Sequence, residues 1–157
     1  MLVVGGGQLV DALRQYDQLH GYPAALTHRL AIDLLDVTSD LVGHLLPTAV
    51  ATDQLPDLAP QPQLWRLRPS RFLQQVEPWA AGTRLEVGWH VTSDSIAARV
   101  AECLAATRLT LLKSAAWPAD VRPGDWVAAA AAGYVDEQFG RWAAAIASID
   151  VAQLPAV

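Results

Sequence analysis

The sequence has one cysteine, Cys103, and one lysine, Lys113, in 157 residues. A single cysteine excludes an internal disulfide and any zinc site built on cysteines. Cys103 falls on the apolar side of a helical segment, where a free thiol packs as a small hydrophobe. Arginine supplies the other positive charges, the formal net charge is −5, and there is no basic run. Such a chain is poorly suited to nucleic acid or an anionic membrane surface. No apolar run approaches the roughly 20 residues of a transmembrane helix; the longest, Trp126 to Gly133, is mostly alanine. Met1 leads directly into Leu2-Val3-Val4 with no basic n-region, so the expectation is a cytoplasmic protein without a signal peptide. Two nucleotide fingerprints are also missing. A dinucleotide loop needs a third glycine where Val10 stands, and a Walker A loop needs Gly-Lys-Ser/Thr.

What is present reads as one domain, residues 1–157, with 52% hydrophobic residues and a real core. Leu2 to Val4 reads as a short buried strand. It stops at Gly5-Gly6-Gly7 and gives way to a helix with Leu9, Leu13 and Tyr16 on one face. Gly21-Tyr22-Pro23 breaks that helix. A second runs from about Thr27 to Leu46, with Leu30, Leu34, Leu41 and Leu45 as its core face and Ala31, Leu35, Val42 and Leu46 beside them. Arg29, Asp33, Asp36, Asp40 and His44 form the opposite, solvated face. Strands are expected at Thr48 to Thr52, Gln63 to Leu67, Leu85 to Val91, Arg108 to Lys113 and Ile149 to Leu154. An irregular connection covers Asp53 to Pro62, and a short helical piece follows Pro69 and Ser70 through Val76. A helix over 94–106 has Ile96, Val100 and Leu104 inward and Arg99 and Glu102 off that face, and a last helix begins at Tyr134 or Val135 and ends about Ala147. Alternating strands and helices predict an α/β class with a largely parallel sheet covered on both faces.

Two junctions carry chemistry. Strand, triple glycine and helix at residues 2–14 let backbone approach a ligand, and a helix N-terminus favours an anion there. Strand, polar turn and helix recur at Thr92-Ser93-Asp94-Ser95, where free N–H groups and hydroxyls converge. Thr92 or Ser93 also suits a plain N-cap, and Asp94 suits the helix dipole, so a well-capped helix start explains the same residues. Glycines can likewise serve a tight turn alone. Lys113, at a strand end, is the obvious cation for phosphate charge, or an edge-guarding lysine.

The segments L-V-V-G-G-G-Q-L-V-D-A-L-R, V-T-S-D-S-I-A-A-R-V-A and L-T-L-L-K-S, in this order, resemble the amino acid kinase superfamily, the aspartate/glutamate/uridylate kinase fold. The similarity is greatest to its small archaeal and bacterial branch, which includes aminomethylfuran-phosphate kinase. It extends to H-R-L-A-I on the second helix and Y-V-D-E-Q-F at 134–139. The resemblance implies a three-layer α/β/α sandwich with a mostly parallel central sheet. A homodimer or higher homo-oligomer is expected on separate grounds, as the commonest kind of assembly. The resemblance also implies an ATP- and Mg²⁺-dependent phosphotransferase acting on a small molecule. In such kinases the glycine loop, here Gly5, Gly6 and Gly7, contacts the acceptor or the transferring phosphoryl group. Asp94 matches the aspartate that organises lysines and metal around the phosphates. Thr92, Ser93 and Ser95 would line the acceptor pocket, and Lys113, Ser114 and Asp136 would stand on the nucleotide side. Two departures are visible. Lys113-Ser114 replaces the Thr-Asp of many relatives, and the family's opening V-x-K-x-G-G-S element has no counterpart before Leu2.

Three functions follow as expectations. The first is an ATP-dependent kinase for a carboxylate, phosphate or phosphomonoester. The second is a non-catalytic relative that holds a nucleotide or oxyanion. The third is a subunit of an oligomer, with Trp65, Trp79, Trp89, Trp117, Trp126 and Trp142 as candidate interface anchors.

Overall fold

The structure, a computed structural model, describes residues 1–55 and 63–155; most of the expected Asp53–Pro62 connection lies outside the described residues. Helices alternate with short parallel strands, so the chain is mixed α/β. It divides into two compact units, Met1–Ala80 with Glu86–Trp89, and Ala81–Leu85 with His90–Val157.

In the first unit, α1 (Gly7–His20) and α2 (Ala24–Leu45) precede strands β1 (Val50–Thr52) and β2 (Trp65–Leu67), which pair in parallel from Val50↔Trp65 to Thr52↔Leu67. Pro69 opens the one-turn α3 (Pro69–Arg71), and a π-helical turn (Phe72–Val76) and a 3-10 turn (Glu77–Trp79) follow. The expected strand at Leu2 to Val4 contracts to a single parallel bridge at Leu2. Leu2 N donates to Trp65 O at 2.6 Å, and Leu67 N donates to Leu2 O at 2.9 Å. Pairing goes no further, because β2 gives way to Pro69 and the glycines turn the chain into α1.

The inward face of α2 differs from the leucine row. Thr27, Leu35 and Ser39 are buried, while Leu41 and Leu45 are 60% and 76% exposed. Polar bonds to the strands choose this face. Ser39 Oγ donates to Leu67 O at 2.7 Å, and Arg66 Nη1 donates to Ser39 Oγ at 2.8 Å and Asp40 Oδ1 at 3.1 Å. Asp36 accepts from the Ser70 N–H at 3.2 Å and from the Ser70 hydroxyl. Asp36 and Asp40 therefore hold neighbouring elements and do not belong to a purely solvated row. The face of α1 shifts as well. Leu9 and Tyr16 are exposed and Leu13 is half-buried. Trp89 docks instead on the polar side of α1, with its Nε1 donating to Asp17 Oδ2 at 2.6 Å and Arg14 lying 4.9 Å from its ring centroid.

In the second unit, α4 (Ser93–Cys103) runs back into β3 (Arg108–Lys113), and α5 (Trp126–Ala131) and α6 (Phe139–Ala143) lead to β4 (Ser148–Gln153). Strands β3 and β4 are parallel, from Arg108↔Ser148 to Lys113↔Gln153. Ala98, Leu111, Val135, Phe139, Trp142 and Ile146 are among the residues of the core between them and the helices. Several expectations change over residues 85–143. Leu85 to Val91 forms no strand: Gly88 N donates to His28 Nδ1 at 3.2 Å and Trp89 turns onto Asp17, so side chains take the contacts a ladder would need. Arg99 is fully buried, donating to Ala81 O at 2.8 Å and to Glu102, and Cys103 is only half-buried. The expected helix from Tyr134 is the short α6, because Tyr134 to Gln138 form a turn. The alanine run forms α5, capped by Asp125 Oδ1 accepting from Ala128 N at 3.0 Å.

If polar bonds seat α2, Ser39→Ala destabilises the fold by about 1–3 kcal/mol, the cost of leaving buried partners unpaired. Leu45→Ala stays within about 0.5 kcal/mol, as an exposed site should. Urea unfolding of the two variants checks the order; a larger loss from Leu45→Ala contradicts this packing.

Candidate functional site

The site residues of the second unit gather where the parallel strands end, the usual ligand side of a parallel sheet. Helix α4 runs antiparallel to β3 through a short turn, so its first residues meet the last residue of the strand. Lys113 Nζ donates to Asp94 Oδ2 at 2.8 Å, with the two side chains only 21% and 15% exposed. Burial raises the Asp94 carboxyl above its ordinary range, Lys113 opposes that shift, and the nearby negative charge of Asp136 adds to it. Lys113 Nζ also lies 5.3 Å from the centroid of the Tyr134 ring, within reach of a cation–π interaction.

The start of α4 is held in an unexpected way. Thr92 is the N-cap residue, but its hydroxyl does not cap the helix. A carboxylate from the turn before α6 does so. Asp136 Oδ2 accepts from Thr92 N at 2.9 Å, Thr92 Oγ1 at 2.9 Å and Ser95 N at 3.0 Å. Asp136 Oδ1 accepts from the Ser95 hydroxyl and from Gln138 N at 3.1 Å. In a capping box two side chains share the N-cap and N3 amides between them. Here one remote carboxylate takes both. The converging amides and hydroxyls read from the sequence as a place for an anion are occupied by the chain's own anion.

Three groupings result. Thr92, Ser95 and Asp136 form one cluster, and Asp94 and Lys113 form a second that touches Tyr134. Ser93 lies half-buried at the first helical position, and Ser114 is exposed just beyond β3, where its carbonyl accepts from Gln153 Nε2 at 3.4 Å. Gly5, Gly6 and Gly7 belong to the first unit. A side chain at Gly6 would collide with Val10 Cγ2 at 2.1 Å, and Gly7 has φ 51° with open space around it. The glycine loop thus has a conformational reason to exist apart from any ligand.

A cleft of about 430 Å³ lies beside this cluster, lined by Trp117, Trp126 and Tyr134 together with Val151 and Gln153 of β4. Trp117 packs edge-on to Trp126 and Tyr134, with centroids 5.4 and 5.0 Å apart, and its Nε1 donates to Val121 O at 2.7 Å. The walls are therefore fixed. The sequence reading missed this cleft and Tyr134. Its only signal was an aromatic residue set in a glycine-bounded turn. Among the described residues no group of three or more His, Cys, Asp or Glu side chains could hold a metal ion. A divalent ion would need oxygens from its ligand beside Asp94, as Mg²⁺ commonly has.

No protein-family model matches the chain, and no curated protein matches it.

Asp136→Asn keeps the shape but turns an NH₂ toward a donor that the carboxylate accepted. It should lower stability by about 1–3 kcal/mol; an unchanged urea midpoint contradicts the clamp. For Asp94 the raised pKa fixes the sign. The folded state holds the proton to higher pH, so this group's contribution is full below the unfolded carboxyl pKa and is lost as pH rises through the folded one. The stability of Asp94→Asn relative to the wild type should therefore rise with pH across that window; a difference that falls with pH contradicts the buried assignment.

Proposed function

We propose that the chain is an ATP-dependent small-molecule kinase of the amino acid kinase type, transferring a phosphoryl group to a carboxylate, phosphate or phosphomonoester acceptor. In this reading its parallel strands belong to the central sheet of a three-layer α/β/α fold, and it works in the cytoplasm as a homodimer or higher homo-oligomer. The observation that carries the reading is the Lys113–Asp94 pair at the carboxyl end of β3. The only lysine of the sequence meets the aspartate whose counterpart in the family organises lysines around phosphate.

Phosphoryl transfer asks little covalent help of a protein; it needs positioning and positive charge around the moving oxygens. Asp94 aims the Lys113 ammonium, and Lys113 compensates phosphate charge. Asp136 fixes the start of α4 and with it the backbone that carries Asp94. The aromatic cleft suits the flat base of a nucleotide, since Tyr134 separates it from Lys113 by one ring. A Mg²⁺ ion bound with the nucleotide would supply charge neutralisation at the phosphates, and Asp94 is the carboxylate that would help hold it. The acceptor oxygen attacks the terminal phosphorus, and the bridging oxygen departs with its electron pair on ADP.

One observation favours a second reading, a non-catalytic relative that only holds a nucleotide or oxyanion. The α4 amides that would face a transferring phosphoryl group already bind Asp136.

Calorimetric titration with Mg-ATP and an ATP-turnover assay separate the two. The kinase reading expects binding, turnover that disappears in Asp94→Ala, and at least tenfold weaker binding in Lys113→Ala, since a charge-assisted hydrogen bond contributes about 1.5–3 kcal/mol. Binding without turnover supports the second reading, and no binding overturns both.

A further inference from the structure

Tyr134 is about 95% buried, yet its hydroxyl has no hydrogen-bond partner among the described residues. A buried O–H without an acceptor is costly, and native proteins rarely leave one. The ring is held from several directions: Trp117 packs edge-on at 5.0 Å, the Lys113 ammonium lies 5.3 Å from its centroid, and the ring forms a wall of the aromatic cleft. The hydroxyl is closed to solvent in the ligand-free protein, so a ligand oxygen reaches it through a small displacement of the groups around it. Burial, and then the charge of Asp94, raise its ionisation above the ordinary value, so at neutral pH the hydroxyl keeps its proton and has no acceptor for it among the described residues.

We infer that Tyr134 is a ligand-contacting residue whose hydroxyl donates a hydrogen bond to an oxygen of an anionic ligand, a phosphate or carboxylate, held against Lys113. The inference rests on the proposed nucleotide or oxyanion reading and adds to it a residue and a specificity. Lys113 recognises charge alone, as a point cation. A directed O–H recognises a polar partner at one position and penalises ligands that present a methyl group there, because the buried hydroxyl then stays unpaired. Functional-site groups commonly cost the free protein stability. Tyr134 should do so through its hydroxyl, since the unpaired group is a burden until the ligand arrives.

The test compares Tyr134→Phe with the wild type in urea unfolding without ligand and in calorimetric titration with Mg-ATP and with inorganic pyrophosphate. The change removes one oxygen and keeps the ring, so Trp117 and Lys113 retain their partner. The expected result is a ligand-free midpoint equal to or above that of the wild type, together with about tenfold weaker binding of the probe that the wild type binds. A lower ligand-free midpoint would show that the hydroxyl is already used inside the protein, and would overturn the assignment. So would affinity that Tyr134→Phe retains in full. Failure of the wild type to bind either probe overturns the nucleotide or oxyanion reading itself, and with it the ligand assigned to Tyr134.

Discussion

One carboxylate organises the second unit. Asp136, in the turn before α6, accepts hydrogen bonds from two backbone amides and two hydroxyls at the start of α4 and from the amide of Gln138. A helix start leaves its first N–H groups without intrahelical partners, and the local sequence normally supplies a cap. Here the cap arrives from 41–44 residues away. The bond is therefore a tertiary link as much as a local one. It ties the α5–α6 turn to α4, and α4 in turn presents Asp94 to the end of β3.

From that link the chemistry of the cluster follows. With the Thr92 and Ser95 amides taken by the Asp136 carboxylate, the cation beside the start of α4 is Lys113, itself shared with Asp94. Asp94 lies buried beside a second carboxylate, and burial outweighs the help of the lysine. An ion pair of this kind is poorly solvated, and a ligand that brings more negative charge to Lys113 competes with Asp94 for it. The aromatic cleft adds a rigid apolar surface next to the charged pair, a common composition for small-molecule sites.

The parts of the fold that local chemistry determines were readable. Gly21 ending α1, Pro69 opening the helical turns, the α4 periodicity and the apolar run of β3 are all local signals, and the elements stand close to where these signals put them. The inward faces of α1 and α2 were misjudged because leucine spacing was weighed above polar bonds. Nothing near Ser39 announces that Leu67 O and Arg66 will claim its hydroxyl 28 and 27 residues away. Arg99 was placed outside for the same reason, since its acceptor is the carbonyl of Ala81. The Asp125-Trp126 pair before an alanine run was a legible helix start that was passed over. Within the candidate site, Asp94 and Lys113 were each named, and their pairing follows from the antiparallel passage of α4 into β3. The service that Thr92 and Ser95 give to Asp136 was not legible, because hydroxyls at a helix start look the same whether they await a ligand or an internal carboxylate.

Amide hydrogen exchange at Thr92 and Ser95 tests the central claim most directly. If Asp136 is the cap of α4, both amides are protected in the wild type. In Asp136→Ala that protection should be lost at these two positions while the amides of β3, such as Leu111, keep theirs. Protection at Thr92 and Ser95 that survives the substitution would contradict the account.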